Sequence, residues 1–142
     1  MKNMNTEKLI EQLVLVSLDT AKGMLDEYQL VIPFGIRVFS DSDDVKMNCP
    51  ADQHREADWN EQIDLVVAEL RDYVKAENVY ATALVTSLEA ESEMGIGLQV
   101  ETEASSALFI YPYSQKEGEW VIAEPIQTEQ LLTTVFPVNT IS

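Results

Sequence analysis

The residues that could do chemistry are few, and they fall in two places. Cys49 and His54 share the polar stretch 49–57 and are the chain's single cysteine and single histidine. If they met in space, an imidazole could take the thiol proton and leave a nucleophilic thiolate. Zinc would need three or four ligands, and beyond a carboxylate such as Asp52 the chain has no second His or Cys to offer. Asp41-Ser42-Asp43-Asp44 opens like a calcium loop, but its sixth position is Lys46, where such a loop needs glycine. Turn chemistry accounts for it better, because Asp and Ser side chains bond their own backbone. Ser-His-Asp hydrolysis would have to use His54, and no Gly-x-Ser-x-Gly occurs. The Gly95–Gly97 pair lacks the third glycine and following helix of a phosphate-binding loop.

The second place is carboxylate-rich. Glu89, Glu91 and Glu93 alternate between two apolar runs, and Glu101 and Glu103 alternate in the next. Acid–base catalysis by paired carboxylates needs environments that separate their pKa values. Alternating acids on the wet face of a strand would share one environment. They read as a solvated face, so no catalytic residue is assigned and no cofactor or metal is expected.

Charge carries more information. The 142 residues hold 25 Asp and Glu against 9 Lys and Arg, a net charge of −16. Beyond Lys75 the one basic residue is Lys116. This argues against nucleic acid and anionic membrane surfaces, both of which select basic patches. It suits solubility, and it suits a basic protein partner. The candidate partner-binding residues are Asp41, Asp43, Asp44, Glu89, Glu91, Glu93, Glu101 and Glu103. Tyr111 and Tyr113 join them, because with Phe109 they line one strand face and could form an exposed apolar patch. That face, or a free sheet edge, could also make a homodimer.

The elements that must position these residues are legible from periodicity. Leu9, Ile10, Leu13, Val14, Ser17, Ala21, Met24, Leu25 and Tyr28 recur near helical spacing and predict a helix over 6–26, with Asn5 or Thr6 as cap and Ser17 and Asp19 facing water or bonding locally. Residues 56–76 carry Trp59, Ile63, Val66, Val67, Leu70, Tyr73 and Val74 on one side, with Asp52 or Asp58 as cap. Between them, 35–40 and 45–47 alternate as a hairpin around the acidic turn. From Val79 to Glu124 four strand-like runs follow with short links, which suits an antiparallel meander. In 94–102, Met94, Ile96, Leu98 and Val100 oppose Gly95, Gly97, Gln99 and Glu101, predicting one buried and one wet face. Residues 128–136 predict a short final helix capped by Thr128. The order is α-β-β-α-β-β-β-β-α: one α+β domain over 1–142, an antiparallel sheet of about 5–6 strands with two main helices on one face.

This layout over residues 18–113 resembles a group of small, uncharacterised bacterial α+β proteins. In them an N-terminal helix leads through Pro-Phe-Gly into a hairpin, as Pro33-Phe34-Gly35 does here. Some look immunity-like, so the resemblance implies a non-catalytic accessory protein and carries over no catalytic residues. The alternative is a small-ligand-binding or enzymatic α+β domain with a pocket between sheet and helices. A lone cysteine points to a reducing, cytoplasmic setting. No run approaches the ~20 apolar residues of a membrane span, and the N-terminus shows no signal-peptide cleavage pattern.

Overall fold

The structure, a computed structural model, describes residues 6–90 and 93–136. In chain order these form α1 (Thr6–Tyr28), β1 (Phe34–Phe39), β2 (Val45–Asn48), a turn of 3-10 helix (Pro50–Asp52), α2 (Trp59–Ala76), β3 (Val79–Ala90), β4 (Glu93–Thr102), β5 (Ser106–Lys116), β6 (Glu119–Ile122) and β7 (Ile126–Thr128). The strands make one antiparallel sheet in the order β2-β1-β3-β4-β5-β6, with β7 also on β5.

The fold class is α+β, as composition and pattern imply, but the helices do not share a face. On β1, β3 and β4, Phe34, Ile36, Val38, Ala81, Ala83, Val85, Ile96 and Leu98 pack with Leu9, Leu13, Ala21 and Leu25 of α1. The alternate position Leu84 packs instead with Val66, Val67 and Leu70 of α2. Successive side chains on a strand point to opposite faces, so α1 and α2 sandwich the sheet. The reason is visible in β1 and β3. Their residues are buried on both faces, all six of β1 included, and strands buried on both faces need cover on both. β1 lies antiparallel to both β2 and β3. The α2 connection from β2 to β3 therefore joins two parallel strands across β1, and a crossover of that kind needs a helix lying on one face.

Local signals set the helix ends. The Asp58 carboxylate accepts the Glu61 N–H at 2.9 Å and caps α2. At the end of α1 Gln29 adopts φ 64° while its N–H donates to the Leu25 carbonyl at 2.9 Å, the left-handed stop that closes many helices. Ser17, in the buried stripe of α1, satisfies its hydroxyl by donating to Leu13 O at 2.7 Å.

Two expectations fail beyond the helix placement. The final helix over 128–136 does not form. Thr128 ends β7, and 129–136 has no regular structure. A helix of that length is marginal in water, and here the backbone finds partners across the sheet. The second failure is the wet face of β4, where Gln99 and Glu101 are both fully buried. Segment 129–136 is what covers them.

β5 changes its outer neighbour midway. Leu108–Ile110 pairs with β7, and Tyr113–Lys116 pairs with β6. Pro112 falls between the two, its carbonyl accepting the Ala123 N–H at 2.8 Å. A proline has no N–H to give to a ladder, so it fits at that break.

Candidate functional site

The candidate residues separate into four surroundings. Asp41, Asp43 and Asp44 are exposed on the β1–β2 turn, where the Asp41 carboxylate accepts the Asn78 Nδ2–H at 2.8 Å. Glu103 is exposed on the β4–β5 turn. The registers Val38↔Ala81 and Ala81↔Thr102 put both turns at one end of the sheet, separated by β3. Glu89 and Glu93 are exposed at the opposite end, beside the β3–β4 turn, about 30 Å away along β4. Glu91 lies outside the described residues. The acids therefore form two patches, and Glu101 belongs to neither.

Tyr111 and Tyr113 are half-buried against the core beneath α1. The Tyr113 ring meets Trp120 edge-to-face at 5.5 Å, and its hydroxyl lies 3.1 Å from Ser87 Oγ. Burial, and then the charge of Glu124, push the Tyr111 phenol up. The aromatic stripe is packing first and surface second.

Cys49 and His54 form no Cys–His hydrogen bond. Cys49 turns its thiol to the Pro33 carbonyl at 3.8 Å, while His54 is exposed and its carbonyl accepts from Gln62 Nε2 at 2.6 Å. Burial, and then the charge of Asp52, raise the Cys49 pKa; the Ala51 and Asp52 amides oppose this less strongly, and the charge of Glu69 adds a little more. A nucleophilic cysteine needs the opposite shift. Alkylation of Cys49 by iodoacetamide at pH 8 is expected to run severalfold slower than for a cysteine in an unfolded peptide. It should keep accelerating as pH rises past the ordinary thiol range. A rate equal to the peptide's, or a plateau at neutral pH, would contradict this environment. Among the described residues no group of three or more His, Cys, Asp or Glu is placed to hold a metal.

The most organised polar arrangement lies where the sequence suggested water. Segment 129–136 runs over β4 beside α2 and is held from beneath. Gln99 Oε1 accepts the Leu132 N–H at 2.7 Å, and its Nε2 donates to the Thr133 carbonyl at 3.1 Å. The two oxygens of Glu101 accept the Val135 N–H at 2.8 and 3.0 Å. Glu101 also accepts the Phe136 N–H at 3.4 Å and the Ser106 hydroxyl at 3.1 Å. From the side, Arg71 of α2 donates to the Thr134 carbonyl at 2.7 and 3.2 Å. Val135 and Phe136 bury their side chains with Val66, Val67 and Leu70.

No protein-family model, curated protein or solved structure matches this chain. Geometry and charge must therefore carry any reading of it.

One signal for this cleft was present in the sequence. Gly95, Gly97, Gln99 and Glu101 are not the large solvated side chains that a wet strand face usually carries throughout. The glycines make room instead. A Cβ on Gly97 would lie 2.4 Å from Leu88 Cδ1, and one on Gly95 would lie 2.6 Å from Ile110 Cγ2. Nothing local marked Thr82, Ser106 or residues 132–136 as their companions.

Proposed function

We propose that the protein is a non-catalytic, acidic binding module that docks a basic partner protein, as an immunity-like or other accessory protein would. The observation that carries this reading is the uncompensated charge. Among the described residues, no cation lies within ion-pair distance of Asp43, Asp44, Glu89, Glu93 or Glu103, in a chain of net charge −16. The patch at the β1–β2 and β4–β5 turns gathers Asp41, Asp43, Asp44 and Glu103 at one sheet end, and is the better candidate for first contact. Such a surface acts on association more than on the lifetime of the complex, because long-range attraction speeds encounter and is screened by salt.

Stopped-flow association with poly-L-lysine as a basic surrogate tests it. The rate is expected to fall about tenfold between roughly 20 and 200 mM salt. Joint neutralisation by Asp43→Asn, Asp44→Asn and Glu103→Gln should slow association more than the equal change in charge from Glu56→Gln, Asp64→Asn and Asp72→Asn. A salt-independent rate, or equal losses from both sets, would remove the electrostatic account. Among the described residues no helix is long and apolar enough to cross a membrane.

A further inference from the structure

Glu101 is a carboxylate with no exposure and, among the described residues, no cation within ion-pair distance. The sheet face it occupies does carry one, Arg37, two strands away, but that guanidinium is committed elsewhere. Its Nε donates to Glu77 at 2.9 Å, and its Cζ lies 3.5 Å over the Tyr73 ring. Burying a charge without a counter-ion is costly, and neutral N–H donors offset only part of that cost. Directly across the ladder from Glu101 stands Thr82. Its side chain is also fully buried, and its hydroxyl oxygen has no hydrogen-bond partner among the described residues. The floor of the cleft thus holds one charge without an opposite charge and one hydroxyl without a partner, side by side.

The atom closest to the Glu101 carboxylate is a nitrogen. The Val135 amide reaches both oxygens of Glu101, but an amide has a single hydrogen and no charge. We propose that this cleft, between α2 and β5 over Thr82 and Glu101, is a receptor site for the free N-terminus of an extended apolar segment, and that the chain's own residues 135–136 occupy it as a placeholder. An α-ammonium at the position of the Val135 nitrogen would keep both existing contacts. It would supply the missing positive charge and carry a third hydrogen, for which Thr82, paired with Glu101 across the ladder, offers the unpartnered acceptor. Hydrogen bonds to ionised partners are about twice as strong as neutral ones. A lysine side chain would not reproduce this arrangement, because here the nitrogen is part of the main chain and the adjoining side chains are apolar. The pocket that takes Val135 and Phe136 beside Val66, Val67 and Leu70 sets the class of the first two residues. The holds of Gln99 on the Leu132 and Thr133 backbone can persist, while Thr134 must leave its place beside Arg71 to make room for the incoming nitrogen. This site is distinct from the exposed acidic turns and does not depend on their role.

The test uses the full chain and the octapeptide with the sequence of residues 135–142, labelled at its C-terminus, with its N-acetylated twin as control. Fluorescence anisotropy should show the free-amine form binding about tenfold more tightly, a difference equivalent to one buried charge-assisted contact. Thr82→Val removes only the orphaned hydroxyl and disturbs no bond, and it should cut that preference to roughly half or less. Glu101→Gln should abolish it. Phe136→Ala loosens the placeholder without altering the floor, and should strengthen binding of the peptide severalfold, because the tethered competitor is weakened. The preference for the amine should persist in about 0.5 M NaCl, which screens the exposed acids. That separates it from docking at the surface turns. Equal binding of the two peptides, absence of binding at millimolar concentration to the Phe136→Ala chain, or a preference that survives Glu101→Gln would overturn the proposal.

Discussion

Replacing Glu101 with alanine is expected to release the strap formed by residues 129–136 while most of the sheet stays folded. The carboxylate is the acceptor for the Val135 and Phe136 amides and for the Ser106 hydroxyl. Left without it, each buried N–H costs about 1–3 kcal/mol. Relief of the buried charge returns part of this. The strap's alternative is to leave, which forfeits the burial of Val135 and Phe136, about 2 kcal/mol for each side chain. The expected loss of stability is about 3 kcal/mol by urea denaturation. Hydrogen exchange locates it: the Val135 and Phe136 amides should lose protection, while those of Val85 and Leu98 should keep theirs. Glu101→Gln retains one acceptor oxygen and should cost about half as much. Unchanged protection at Val135 in the alanine variant would show that the carboxylate does not hold the strap.

Gly35→Ala is expected to be the most damaging of the glycine substitutions. A Cβ there would stand 2.6 Å from Asn48 Oδ1 and 2.9 and 3.1 Å from the two Leu70 methyls. None of these can retreat freely. Leu70 is fully buried in the α2-side core, and the Asn48 amide donates to Glu69 at 2.9 Å. Overpacking of this kind costs about 1–3 kcal/mol, and the upper part of that range is expected because α2 itself must shift. Gly23 supplies the control. It lies within α1 with nothing within 4 Å of an added Cβ, so Gly23→Ala should raise stability by up to about 1 kcal/mol through helix propensity. Equal effects of the two substitutions would mean that the α2–β1 approach is not as close as the Gly35 surroundings indicate.

Both predictions concern the face where sequence reading failed, and the failure has a physical source. A period of two identifies a strand and sorts its residues into two sets. It does not say what lies above either set. In β4 the period of two separates Met94, Ile96, Leu98 and Val100 from Gly95, Gly97, Gln99 and Glu101, and the polar side chains of the second group suggest a wet face. Polar groups can be buried when every partner is supplied, and here the partners come from residues 132–136. The contact between Glu101 and Val135 spans 34 positions, and no local pattern announces it. The acidic turn at Asp41–Asp44 fared better, because turn chemistry is a local property and the turn is where the spacing placed it.

What the amino-acid order alone determined is therefore the inventory: two amphipathic helices, a hairpin around the acidic turn, a meander after Val79, an aspartate cap for α2 at Asp52 or Asp58, and a net charge of −16. These follow from interactions within a few residues or from simple counting. Tertiary structure decided the rest. It put α1 and α2 on opposite faces, and β1 and β3 are buried on both. It divided the acids between two ends of the sheet. It also turned 129–136 from a short helix into a strap, since buried Gln99 and Glu101 offer its backbone partners that an isolated helix of that length could not outcompete.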